Sequence, residues 1–173
     1  MQTNSRWLDN DASDLAACRA MLANGSRTFL AASMLLPREV RESACALYAF
    51  CRMADDEVDG QPQGLDAVAR LRERLARIYA GRPEDIVADR ALAAVVRRYD
   101  IPATLLEALI EGFEWDAQDR RYHTIDQVQA YGARVAGTVG AMMALLMGAR
   151  DPAAVARACD LGVAMQLSNI ARD

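Results

Sequence analysis

The sequence contains no lysine: all 20 basic residues are arginine. That excludes Schiff-base chemistry and the lysine of a phosphate-binding P-loop. His123 is the only histidine, which excludes a histidine-ligated zinc centre and a Ser-His-Asp triad. Cys18, Cys45, Cys51 and Cys159 show no C-x-x-C spacing. They read as small buried hydrophobes, and a reducing cytoplasm fits them best. Met1 to Asp14 lacks an apolar signal core. The longest uncharged run, Val135 to Ala149 between Arg134 and Arg150, is shorter than the roughly 20 residues of a membrane span. Net charge is −4 with both signs mixed along the chain, so no basic face for nucleic acid is expected. Strand alternation and Asn-Gly hairpin signals are missing too.

What remains is rich in alanine, leucine and arginine, all strong helix formers. The 173 residues fit one domain (residues 1–173, no linker) with a substantial core. Glycine and proline divide the chain into helices. They are expected from about Ser13 to Ala23, Ser26 to Leu36, Pro37 to Asp59, Leu65 to Ala80, Glu84 to Tyr99, Pro102 to Gln118 and Thr124 to Met147. A last helix opens at Asp151-Pro152 and is still in apolar rhythm at Leu167 and Ile170. A domain seldom stops in mid-helix, so the pattern predicts a polypeptide that continues past Asp173. The expected class is all-α.

Asp55, Asp56, Glu57 and Asp59 place four acids in five residues near the end of the long helix, where they repel one another and oppose the helix dipole. Tyr48, Arg52, Asp55 and Asp59, spaced four, three and four apart, share one side of that helix. One stripe thus carries a ring, a guanidinium and two carboxylates. Magnesium favours carboxylate oxygens and bridges them to phosphates, and arginine grips the same phosphates by paired hydrogen bonds. A plain alternative is a solvated helix end in which Arg52 pairs with Asp55 or Asp56. Gly162, Gln166, Asn169 and Asp173 repeat the spacing on the last helix. Two polar stripes on apolar helices suit a metal–diphosphate cleft, or else exposed surface. Gly132, Ala136 and Gly140, with Gly137 beside them, suit close helix packing or the approach of a substrate chain.

Ser26-Arg27-Thr28-Phe29, then LYAFCRMADDEVDG (Leu47 to Gly60), YGARVAGTVG (Tyr131 to Gly140) and MQLSNIARD (Met165 to Asp173) occur in this order. They resemble the squalene/phytoene synthase family, its phytoene-forming branch most closely. The resemblance implies an isoprenoid-synthase bundle of helices around a central cavity, incomplete at the C-terminus. It implies Mg2+ (with Mn2+ as a substitute) held by Asp55 and Asp59 on one side and by Asn169 and Asp173 on the other. The acid expected four residues beyond Asp173 is absent from the sequence. Ser26, Arg27 and Phe29 match a flap over the diphosphate, and Tyr131, Val135, Gln166 and Asn169 match substrate-binding positions. Arg52, Tyr48, Asp55, Asp59 and Asp173 match the catalytic set. Asp116, Arg121 and Tyr122 match a further family stretch, although Trp115 replaces the methionine of relatives. At Gly132 the family's usual residue is a cysteine.

The implied reaction, in carotenoid and isoprenoid biosynthesis, is a prenyl transfer. Two geranylgeranyl diphosphates join head to head through a cyclopropyl (prephytoene) diphosphate, without NADPH. Apolar walls (Phe29, Leu47, Val135, Val139 and Met142, with Met34 and Leu35 as further candidates) are expected to keep water from the cation. The alternatives are squalene or dehydrosqualene formation from farnesyl diphosphate, and a non-catalytic relative acting in assembly. A forty-carbon product carries the expectation of peripheral contact with a membrane.

Overall fold

The structure, a computed structural model, describes residues 8–59 and 64–172, so Asp173 and the expected turn around Gln61-Pro62 lie outside the described residues. Its elements are helical throughout. They are α1 (Leu8–Gly25), α2 (Arg27–Ser33), α3 (Arg38–Asp59), α4 (Gly64–Tyr79), α5 (Val87–Tyr99), α6 (Ala103–Ala117), α7 (Ile125–Gly132), a π-helical turn (Ala133–Gly137), α8 (Thr138–Leu146) and α9 (Pro152–Arg172).

Most boundaries follow local chemistry. Ser26 caps α2 by accepting from the Phe29 N–H at 3.2 Å, and Asp151 caps α9 by accepting from the Ala154 N–H at 3.0 Å. Gly81 and Gly148 adopt positive φ of 71° and 86° just past α4 and α8, the left-handed step that glycine takes without strain. Three boundaries differ from expectation. With no glycine or proline before Ser13, α1 begins a turn earlier, at Leu8. The second helix stops at Ser33, whose hydroxyl donates to the Leu30 carbonyl at 2.7 Å. And α5 begins at Val87 rather than Glu84, because Glu84 pairs with Arg77 at 3.1 Å and Asp85 pairs with Arg90, which holds that segment extended.

The centre of the bundle is α3, which buries Leu47, Phe50, Ala54 and Val58 against α1, α4, α5, α6 and α8. Leu71, Leu92, Leu106, Ile110, Met142 and Leu146 complete this core. Leu47 and Met142 are thus packing residues at 2 % and 0 % exposure, and neither is an open cavity wall. The two Arg90 contacts to Asp14, 2.9 and 2.7 Å, clamp α5 to α1.

The helix expected to run unbroken from Thr124 to Met147 is divided by the π turn. Here α9 comes down onto the backbone: a Cβ added at Gly162 would collide with the Ala136 carbonyl, and one at Gly140 with the Ala158 carbonyl. The glycine spacing therefore serves close helix packing, the first of its two readings. Gly162→Ala is expected to lower unfolding free energy by about 1–3 kcal/mol, read by urea denaturation. An unchanged midpoint would mean that α9 is held elsewhere. No residue of α9 is buried, and Leu161, Met165 and Ile170 are exposed.

Candidate metal–diphosphate site

The last three turns of α3 carry Tyr48, Arg52, Asp55 and Asp59 along one flank of its buried face. Tyr48 is half-buried, and its ring centroid lies 6.1 Å from that of Phe29 on α2. Its hydroxyl sits over Gly25, where any Cβ would collide with it. The flap segment predicted from Ser26, Arg27 and Phe29 is therefore anchored on the stripe. Phe29 itself is 54 % exposed, and Arg27 is exposed.

Arg52 donates to Asp56 through Nε at 3.1 Å and Nη2 at 2.5 Å, and lies 3.6 Å from Asp55. The plain ion-pair reading is thus present in the structure. The pair is exposed on both sides, hence worth no more than about 1 kcal/mol, and exchangeable for a phosphate. Asp55 stands differently. Partial burial, then the neighbouring charges of Asp59 and Asp56, push its carboxyl above the ordinary range against the pull of Arg52. Like-charged oxygens held together in this way favour a cation.

Two further helices reach the same place. Tyr131 on α7 donates its hydroxyl to Asp116 Oδ2 at 3.0 Å. The atoms packed around Asp116 push its carboxyl up, Tyr131 opposes this, and the charges of Asp59 and Asp55 raise it further. Burial and the Asp116 charge raise the Tyr131 phenol strongly. Asp116 is thus within electrostatic reach of the α3 stripe, although the sequence marked it only as a family match. Behind it Trp115 is flanked by the guanidiniums of Arg120 and Arg134, 3.9 and 4.1 Å from its ring centroid. Tyr122 bridges onward, 6.3 Å from Trp115 and 5.2 Å from Tyr131 between ring centroids.

Of the second stripe, Gly162, Gln166 and Asn169 are described and Asp173 lies outside the described residues. Gly162 lies against the Ala136 backbone, Gln166 is half-buried beside Gly132, and Asn169 is exposed. Val135 packs its Cγ1 onto Gly112 of α6. Among the described residues no group of three or more acidic, histidine or cysteine side chains is close enough to hold a metal.

Comparison with known proteins decides the lineage. The squalene/phytoene synthase family model matches residues 22–173. The chain belongs to the squalene/phytoene synthase family. Within the family it is 59 % identical over 163 residues to a phytoene synthase of Rhodobacter capsulatus, covering 92 % of this chain and 48 % of that protein. A phytoene synthase of Cereibacter sphaeroides is 55 % identical over 170 residues, with the same two coverages. The chain thus spans about half the length of these relatives. Among solved structures, a dehydrosqualene synthase in complex with a ligand superposes with a TM-score of 0.86 at 30 % identity, over 96 % of this chain and 59 % of that one. A squalene synthase from Alicyclobacillus acidocaldarius gives 0.84 at 26 % identity, over 92 % and 60 %. The fold is the helical isoprenoid-synthase fold of these proteins, as the motifs implied.

Proposed function

We propose that the full-length protein is a prenyltransferase of the phytoene synthase type, joining two geranylgeranyl diphosphates head to head. The observation that carries this reading is the Asp55–Asp59 stripe on α3, whose charges act on the Asp116–Tyr131 pair, in a chain so similar to two phytoene synthases.

The donor set fits Mg2+, with Mn2+ as a substitute. Asp55 and Asp59 offer hard carboxylate oxygens without histidine or thiolate, and magnesium is commonly held by one or two carboxylates plus substrate phosphates. Asn169 and Asp173 are the proposed ligands of a second position. When bound, the metal supplies neutralisation of the diphosphate charge.

The chain's own residues do the rest. Arg52 leaves Asp56 to grip the departing diphosphate by two N–H donors. Ser26 and Arg27 close the flap over it, and Gln166 lies along the path of the second substrate. Tyr48 and Tyr131 present ring faces to an allylic cation, while Phe29 and Val135 keep water from it. The double bond of the second substrate attacks that cation and one proton leaves as the cyclopropyl diphosphate closes; its own diphosphate then departs, the cation rearranges, and loss of a second proton gives the product without NADPH.

Product analysis with Mg2+ and each substrate alone tests this reading. The expected product is phytoene from the twenty-carbon diphosphate. A product from farnesyl diphosphate only would move the protein to the squalene or dehydrosqualene reading, which the names of the solved relatives favour. No product from either would favour an assembly role. No helix among the described residues is long and apolar enough to cross a membrane. A cytoplasmic protein in peripheral contact with the membrane that takes up its forty-carbon product is the matching location.

A further inference from the structure

Glu57 lies between Asp55 and Asp59 in sequence, yet it belongs to a different cluster. Arg74 on α4 donates to Glu57 Oε2 at 2.7 Å and to both oxygens of Asp89 on α5, at 3.0 and 2.6 Å. A further contact of 3.3 Å reaches the sulfur of Met53. Asp89 is 0 % exposed and Arg74 6 %. This is the most deeply buried charge cluster among the described residues, and the proposed chemistry does not use it.

Its place on α3 gives it a consequence. At about 100° per residue, Glu57 stands about 200° round the helix from Asp55. The buried line of Phe50, Ala54 and Val58 runs between the two. The acidic end of α3 is thus held on one flank by Arg74 and presents Asp55 and Asp59 on the other. Apolar packing alone tolerates a small roll of a helix about its axis. A charge-assisted bond to a guanidinium fixed by a bidentate partner does not.

We propose that Arg74, locked by Asp89, is a positioning residue for the site: by holding Glu57 it sets the rotation of the α3 end and so aims Asp55 and Asp59. Charge is not the device. Glu57 is the handle by which the helix is turned, and what matters is that its side chain reaches Arg74. The inference rests on the metal–diphosphate reading of Asp55 and Asp59.

The test compares Glu57→Leu, which cannot accept a hydrogen bond, with Glu57→Gln, which removes the same charge but still accepts from Arg74. Glu57 is partly open to solvent, so both variants are expected to fold. The probe is Mg2+ with inorganic pyrophosphate, and the readout is the rise in thermal midpoint of the full-length protein. The expected result is that Glu57→Leu needs about tenfold more Mg2+ for the half-maximal rise, while Glu57→Gln stays within about twofold of wild type. Equal loss in both variants would show that Glu57 acts by its charge, and no loss in either would show that it has no bearing on the site. Both outcomes overturn the proposal. No rise in the wild type would overturn the metal–diphosphate reading itself.

Discussion

Asp55→Asn is expected to abolish turnover while leaving the protein slightly more stable. The loss should be at least about 10²–10³-fold, the scale for removing one principal charge-stabilising group from a site. The gain has a separate cause. The Asp55 carboxyl holds its proton more tightly in the folded chain than is usual, because burial and the charges of Asp59 and Asp56 oppose its ionisation. A carboxyl raised on folding favours the folded state below the unfolded pKa, and that advantage is lost as pH rises through the folded value. At neutral pH, without divalent cation, ionised Asp55 therefore works against folding, and the amide relieves it. Thermal unfolding at pH 7 and near pH 4 checks the sign. The variant should lead at pH 7, and the lead should shrink in acid. A fall in midpoint at pH 7 would mean that Asp55 holds the fold through its contact with Arg52.

Arg74→Met should cost more than any other single change outside the apolar core. It leaves Asp89, fully buried, with no cation, and removing one member of a buried pair typically costs about 3–5 kcal/mol. The double variant Arg74→Met with Asp89→Leu should recover most of this loss, since an apolar pair of similar volume often replaces a buried ion pair without penalty. Urea denaturation of the single and double variants checks the recovery. A double variant as unstable as the single one would mean that packing around Arg74, rather than the stranded charge, sets the cost. Recovery of stability by the double variant should not restore metal affinity, because Glu57 would keep only its longer contact to Arg70, at 3.9 Å.

How far the sequence reached depended on the range of each interaction. Helix existence was legible from local signals: Gly81 and Gly148 past helix ends, Ser26 and Asp151 at helix starts. Each acts within a few residues. The Tyr48–Arg52–Asp55–Asp59 stripe was legible for the same reason, since helical spacing alone puts those residues on one side. The π turn was not, because nothing near Ala133 specifies it; there α9 presses Gly162 against the Ala136 carbonyl. Asp116 was legible only as a family match. Its tie to the site runs through Tyr131, fifteen residues away, and through charges on α3. Glu57 read as one more acid in a repelling cluster, yet its partner is Arg74 on another helix, seventeen residues on. A buried arginine leaves no mark in a sequence whose every basic residue is arginine.

Asp55 and Asp59, rather than Asp56 and Glu57, are the proposed ligands of a metal that in turn holds diphosphate. The most direct measurement is anomalous diffraction from crystals of the full-length protein soaked with Mn2+ and inorganic pyrophosphate. A manganese peak bonded to carboxylate oxygens of Asp55 or Asp59 is expected, with pyrophosphate on its open side and Arg52 turned away from Asp56 toward it. A peak on Asp56 or Glu57, or pyrophosphate bound with no metal at Asp55 and Asp59, would contradict it.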